Sequence, residues 1–138
     1  MSIETWKAEF YPVEADKVPE ELAVEHSLRK WRGLTKENLA RHELTADGGV
    51  LTDSSGCDLF EVYASSCSLC QVYLRKDLNQ RCGACPLFEH LGKPCYEEDT
   101  GDALSAFDAF IEHDDPLPMI AALEAVAAKT PAIRGTLP

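Results

Sequence analysis

The sequence lacks several features that define broad classes of proteins. No apolar run approaches the roughly 20 residues needed to cross a bilayer, so we expect no membrane association. The first residues lack the basic and apolar regions of a signal peptide, which favours a cytoplasmic location. No glycine-rich phosphate loop is present, and the four histidines are scattered along the chain. These absences favour a non-catalytic cytoplasmic protein over an enzyme.

Basic residues are missing from residues 96–128, although this segment contains nine acidic residues. The net charge of the chain is −11, which repels polyanions and argues against direct binding of nucleic acid. The bases concentrate in residues 26–42, namely Arg29, Lys30, Arg32, Lys36 and Arg41. We interpret this basic cluster as the solvated surface of two helices, and the acidic segment as a candidate contact face for a protein partner.

Cysteine is abundant, with six cysteines among 138 residues. Such a set would suit a disulfide framework in a secreted chain, but in a reducing cytoplasm it favours metal ligands or reactive thiols. The length is that of one domain. We therefore predict a single zinc-stabilised domain over residues 1–138, with an N-terminal arm over residues 1–18 and a loose tail over residues 130–138.

Two C-x2-C pairs are the clearest chemical signal in the chain. Cys67 and Cys70 form the first pair, Cys82 and Cys85 form the second, and eleven residues separate them. Thiolates at this spacing can bind one soft cation, and two such pairs complete a tetrahedral shell. The pattern predicts a structural zinc site formed by these four cysteines, with Cys95 as an alternate ligand.

Other interpretations of the cysteines stay open at this point. An iron–sulfur cluster is the main alternative, because Cys85-Pro86 resembles the end of a ferredoxin motif, although the compact C-x2-C-x2-C run is absent. Cys82 and Cys85 could also form a redox pair, but no βαβ pattern surrounds them. His90 is a weaker substitute ligand, and Cys57, alone in a turn, is not expected to bind the metal.

Periodicity and capping residues predict an α+β fold that is predominantly helical. A helix follows Pro19 and ends at Gly33, and a second helix begins after Thr35 and ends near His42, so the two form a helical hairpin. The segment before Pro19 has weak periodicity and is predicted to be an extended arm or a short edge strand. Its aromatic side chains are expected to pack onto the body of the domain; they are Trp6, Phe10 and Tyr11.

A short β-hairpin and two C-terminal amphipathic helices complete the predicted fold. The apolar runs over residues 50–52 and 59–63 are bounded by glycine turns, as in a hairpin. The C-terminal helices are predicted from about residue 102 to residue 113 and from Pro116 to about residue 128. The apolar stripe of the last helix is expected to contain Leu117, Ile120, Leu123 and Val126.

The predicted zinc-clamped loop places both cysteine pairs near helix N-termini. Ser65 or Ser66 can cap a helix whose first turn carries Cys67 and Cys70, and Pro86 can begin another helix after the second pair. Free N–H groups and the helix dipole favour thiolates at such positions.

The cysteine segment resembles a group of small phage proteins. Its pattern is Ser-Cys-x-Leu-Cys over Ser66–Cys70, Cys-x2-Cys-Pro-Leu over Cys82–Leu87 and Gly-x2-Cys over Gly92–Cys95. This order resembles the small cysteine-cluster proteins that bacteriophages and prophages encode. The resemblance implies action in the cytoplasm of an infected bacterium and supplies no activity.

The predicted function is therefore that of a non-catalytic, phage-type accessory protein. It would carry a structural zinc site with four cysteine ligands and bind another protein, from either the bacterial host or the phage. One alternative is an acidic mimic of nucleic acid that inhibits a host DNA-binding enzyme, because the nine acids of residues 96–128 are uncompensated. A further alternative is an iron–sulfur redox protein.

Overall fold

A computed structural model describes residues 2–62, 66–71, 86 and 106–129 of the chain. These residues form α-helices and a small antiparallel sheet, so the predicted α+β class is confirmed. Most of the predicted zinc-clamped loop, and the loose tail over residues 130–138, lie outside the described residues. Among the described helices, none is long and apolar enough to cross a bilayer.

The described helices and strands follow one another in a simple order. The helices are α1 (Ile3–Phe10), α2 (Ala23–Arg32), α3 (Lys36–Arg41), α4 (Ala106–His113) and α5 (Leu117–Ala128). The strands are β1 (Thr45–Asp47), β2 (Val50–Thr52) and β3 (Asp58–Glu61). Two short 3-10 turns, Ala15–Lys17 and Glu20–Leu22, connect α1 to α2.

The N-terminal segment is helical, so the prediction of an extended arm or an edge strand is wrong. A reciprocal capping box starts α1: the Ser2 hydroxyl accepts a hydrogen bond from the Thr5 N–H, and the Ser2 N–H donates to Thr5 Oγ1 at 2.8 Å. Threonine takes the role that Glu or Gln usually has in this motif, so the sequence carries no standard start signal. The aromatic side chains are buried as predicted; they are Trp6, Phe10 and Tyr11.

The predicted end of α2 and start of α3 are confirmed by their capping residues, whereas α2 begins at Ala23 and not directly after Pro19, where a 3-10 turn precedes it. Gly33 follows α2, and its N–H donates to carbonyls of the last turn. Thr35 caps α3, because its side chain accepts a hydrogen bond from the Asn38 N–H at 3.3 Å. Gly33 also lies against α1, where a Cβ atom at this position would stand 2.4 Å from Cγ of Phe10. A residue without a side chain is therefore required where α1 crosses the α2–α3 connection.

The sheet is a three-stranded antiparallel meander in the order β1-β2-β3. The predicted hairpin is confirmed as β2 paired with β3, with Leu51 opposite Phe60. Strand β1 was not predicted; it pairs with β2 across a turn in which Gly48 and Gly49 adopt φ of 61° and 87°. The inner face of the sheet contributes Leu51 to the hydrophobic core, where this side chain is fully buried.

The C-terminal helices pack onto α2 and close the core. α2 contacts α5, and Trp31 of α2 meets Phe110 of α4 edge to face with ring centroids 5.2 Å apart. The predicted stripe of α5 is correct for Leu123 and Val126, which are buried, but Leu117 is 61% exposed. The buried face of α5 is instead formed by Met119, Ala122, Leu123, Val126 and Ala127. Small alanines let α5 approach its neighbours closely, as tight helix packing requires.

Candidate metal centre

The first cysteine pair lies on a short helical turn. Residues 68–71 are helical, and Cys67 stands directly before them. The Sγ atom of Cys67 accepts a hydrogen bond from the backbone N–H of Cys70 at 3.4 Å, so the sulfur occupies the capping position. Ser66 does not take this role as predicted, because its hydroxyl donates to the carbonyl of Glu61 at 2.8 Å. The turn therefore presents the Cys70 N–H to the Cys67 sulfur, which favours the thiolate form.

Helix α2 holds this turn through one row of polar groups. Lys30 Nζ donates to the carbonyl of Ser66 at 3.1 Å, and the Ser68 hydroxyl donates to the carbonyl of Ala23 at 2.7 Å. Between them, Ser27 Oγ lies 4.0 Å from Cys67 Sγ. Positions four and three residues apart share one face of a helix. We call this row, formed by Ala23, Ser27 and Lys30, the α2 polar stripe.

Lys30 is a buried residue of the α2 polar stripe and is only 1% exposed. Its assignment to a solvated basic surface is therefore wrong. The physical reason is that the cysteine turn lies on the face of α2 that carries Lys30, whereas the sequence pattern shows only a basic run. Leu69, 1% exposed, anchors the same turn in the hydrophobic core. The turn is thus fixed to the domain by both polar and apolar contacts.

The surroundings of Cys67 lower the pKa of its thiol to about 5. The hydrogen bond from the side chain of Cys70 is the largest cause, and the positive charge of Lys30 and the Ser27 hydroxyl act in the same direction. Burial opposes them, because a low dielectric disfavours the charged form. Metals bind the thiolate and not the thiol. The lowered pKa of Cys67 favours the thiolate, which is the form that soft cations bind.

The structure brings two of the predicted ligands together, Cys67 and Cys70. The other predicted ligands lie outside the described residues; they are Cys82, Cys85, Cys95 and the substitute His90. Within the described ranges, no three metal-binding side chains converge. The chemistry of Cys67 and Cys70 would suit a soft divalent metal, because two sulfurs at C-x2-C spacing are ligands that thiophilic ions prefer.

Two of the histidines are occupied by contacts elsewhere in the fold. His26 Nε2 lies 2.6 Å from the carbonyl of Val13, and burial lowers the pKa of this imidazole. His42 connects α1 to the end of α3, because its Nδ1 lies 2.8 Å from Thr5 Oγ1 and its Nε2 lies 2.9 Å from Glu9 Oε1. Sequence spacing gives no sign of this connection, since 33 residues separate His42 from Glu9. Both contacts are explained by packing and need no metal.

Three arginines of the basic cluster contact α1 and α5. Arg41 forms a salt bridge with Glu9 at 2.8 Å, and Arg32 forms one with Glu124 at 3.0 Å. Arg29 donates to the backbone carbonyl of Glu9. With Lys30 buried as well, the cluster presents less positive surface than its sequence suggests. Exposed pairs of this kind contribute little to stability, about 0–1 kcal/mol each.

Comparison of the chain with known protein families, with curated proteins and with solved structures finds no match.

Proposed function

We propose that this protein is a zinc-binding domain in which Cys67 and Cys70 form one half of a tetrahedral thiolate site. Cys82 and Cys85 would supply the other half, with Cys95 as the alternate ligand. Four thiolates leave no open position for a substrate, so the metal would hold the fold together and would not catalyse a reaction. The domain would then act as an accessory protein that binds another protein.

The observation that most directly supports this proposal concerns the thiol of Cys67. Its sulfur accepts a hydrogen bond from the Cys70 N–H, and the pKa of the thiol is lowered to about 5. A thiol kept reactive at neutral pH inside a cysteine-rich segment needs a partner, since otherwise it is open to oxidation. A bound soft cation is the partner that two closely spaced cysteine pairs provide for. Structural zinc contributes about 10–16 kcal/mol of apparent binding free energy in small peptides, which is large enough to order the connecting loop.

Metal analysis of the purified protein tests the proposal. We expect equimolar zinc, and a marked loss of thermal stability when a strong chelator removes it. Iron with acid-labile sulfide in a protein isolated without oxygen would instead support the iron–sulfur alternative. If the protein contains no stoichiometric metal and chelation leaves its stability unchanged, the proposed zinc site does not exist.

The proposed protein partner would contact the acidic C-terminal helices. Glu112 on α4 is exposed, and Leu117 at the start of α5 is 61% exposed. Glu124 on α5 is also exposed, but it is paired with Arg32. An exposed acidic residue and an exposed apolar residue on two helices that contact each other suit a protein interface, which combines an apolar centre with a polar rim. The opposite charge on the partner would make association faster at low ionic strength.

Pull-down from a bacterial lysate should identify this partner. We expect the combined substitution E112K and L117S to abolish capture, because it reverses one charge and removes the apolar contact. The control is E4K, which reverses an exposed charge on α1 whose neighbouring charges are Lys7 and Asp53, and it should leave capture unchanged. Salt-sensitive competition with DNA for the captured protein would favour the nucleic-acid mimic. Equal capture by both variants would exclude the acidic helices as the contact.

A further inference from the structure

A cavity between α2 and the connection that leads to it from α1 has the size of a ligand-binding site. Its volume is about 610 Å³, which lies in the range of pockets that bind small molecules. Helix α2 contributes lining residues at helical spacing, which share one face of the helix; they are Glu25, His26, Arg29 and Arg32. The candidate metal centre uses none of these residues.

The connection between α1 and α2 makes much of the lining apolar. It contributes Pro12, Val13, Val18, Pro19 and Leu22. His26 Nε2 lies 2.6 Å from the carbonyl of Val13, so the connection is fixed to α2 at this point. The side chain of Val13 is nevertheless 44% exposed. A ligand with an apolar body would remove this lining from water, which favours binding.

Most charged groups of the cavity are already neutralised within the protein. Glu9 forms a salt bridge with Arg41, and Arg32 forms one with Glu124. Burial lowers the pKa of His26, so this imidazole carries no charge at neutral pH. These groups therefore leave little charge with which a ligand could pair.

Glu25 and Arg29 are the exceptions, since neither forms a salt bridge with any residue that the structure describes. A glutamate four residues before an arginine usually pairs with it on a helix surface. Here Nε of Arg29 donates instead to the backbone carbonyl of Glu9, near the end of α1. This contact holds the guanidinium against α1 and keeps it from Glu25. One positive and one negative group thus line the same cavity, one helical turn apart.

We propose that this cavity binds a small zwitterion with an apolar body, of the chemical class of apolar dipeptides. Arg29 would bind the carboxylate, Glu25 would bind the ammonium group, and the connection between α1 and α2 would cover the apolar side chains. Pairs of guanidinium and carboxylate are strong and directional, so Arg29 would set the orientation of the ligand.

The spacing of the two charges favours a dipeptide over a single amino acid. A dipeptide spans roughly 7 Å, close to the separation of about 5–6 Å between Cβ atoms four residues apart on a helix. The ammonium and carboxylate groups of a single amino acid are attached to one carbon atom, so they lie too close together to reach both residues. The inference involves no cysteine and is independent of the proposed zinc site.

Titration of the natural protein with leucyl-leucine tests the inference. In protein labelled with nitrogen-15, we expect the backbone amide resonances of cavity residues to shift, among them Val13, His26 and Arg29. N-acetyl-leucyl-leucine lacks the ammonium group and leucyl-leucinamide lacks the carboxylate, so each should bind at least about tenfold more weakly. Free leucine should also bind more weakly. Absence of shifts at the cavity would overturn the inference, and so would equal affinity for the N-acetyl compound, which would indicate a site for plain carboxylates.

Two variants assign each charge to one end of the ligand. R29Q should weaken binding of leucyl-leucine at least about tenfold and leave leucyl-leucinamide unaffected, because that ligand has no carboxylate. E25Q should weaken leucyl-leucine and leave N-acetyl-leucyl-leucine unaffected. The control K36Q removes an exposed positive charge that does not line the cavity, and it should change none of these affinities. If R29Q or E25Q weakens all three ligands by the same factor, the residue serves only the structure of the cavity and the inference is overturned.

Discussion

Replacing Cys67 by serine should abolish equimolar zinc binding and produce the largest loss of stability among the single substitutions considered. Serine keeps the volume of the side chain but offers a hydroxyl, which is a poor ligand for zinc and does not ionise at neutral pH. Only three of the four proposed ligands would remain, and the double variant C67S/C95S also removes the alternate ligand, so zinc would bind far more weakly. Because the apparent free energy of structural zinc in small peptides is about 10–16 kcal/mol, losing most of it would dominate any change in packing.

Cys57 supplies a matched control within the same chain. It is exposed in the turn between β2 and β3, and its backbone N–H donates to Ser55 Oγ at 3.3 Å. C57S makes the same chemical change away from the cysteine turn, so zinc content and melting temperature should match those of the natural protein. C70S should behave like C67S. If C67S and C57S retain equal amounts of zinc, the first cysteine pair does not bind the metal.

Local signals in the sequence were sufficient to predict the helix caps and the β-hairpin in the middle of the chain. Thr35 and Gly33 mark the start of α3 and the end of α2, and the structure places both residues in those roles. Capping depends on hydrogen bonds between residues only a few positions apart, so one sequence is enough to predict it. The hairpin of β2 and β3 was predicted for the same reason, since glycine turns and short apolar runs are local features.

The sequence analysis did not predict features that depend on contacts between residues far apart in the chain. The burial of Lys30 requires the cysteine turn, 36 residues further along the chain, to lie on α2. The connection from Thr5 through His42 to Glu9 similarly spans 33 residues or more. Hydrophobic periodicity treats every lysine as a surface residue, and a lysine buried by tertiary contacts has no signature of its own. The spacing of Ala23, Ser27 and Lys30 on one helix face was the only hint available.

The candidate metal centre depends on both local and long-range features of the chain. The C-x2-C spacing of Cys67 and Cys70 was read from the sequence, and the structure adds the N–H···S hydrogen bond and the α2 polar stripe. Whether further sulfurs join Cys67 and Cys70 depends on contacts between residues far apart in the chain. That is a long-range property, so Cys82, Cys85 and Cys95 stay predictions.

Replacing Trp6 by alanine is expected to give the largest loss of stability that does not involve the metal. Trp6 is fully buried, and its indole N–H donates to the carbonyl of Gly33 at 2.9 Å. Its ring packs against Phe60 of β3, with the centroids 5.1 Å apart. One side chain therefore connects α1, the α2–α3 connection and the sheet. Truncating a buried tryptophan to alanine typically costs about 3–5 kcal/mol, because it removes apolar contacts and leaves a cavity.

The W6F variant separates the stability that the aromatic packing of Trp6 contributes from the stability that its indole hydrogen bond contributes. Phenylalanine keeps an aromatic ring against Phe60 but leaves the Gly33 carbonyl without its indole donor, and an unsatisfied buried group costs about 1–3 kcal/mol. The free energy of unfolding of W6F, from urea denaturation followed by circular dichroism, should therefore lie between those of W6A and the natural protein. Val13 is 44% exposed, so V13A removes apolar atoms from the surface and should change stability by no more than about 0.5 kcal/mol. A loss in W6A no larger than that of V13A would mean that α1 does not dock through Trp6.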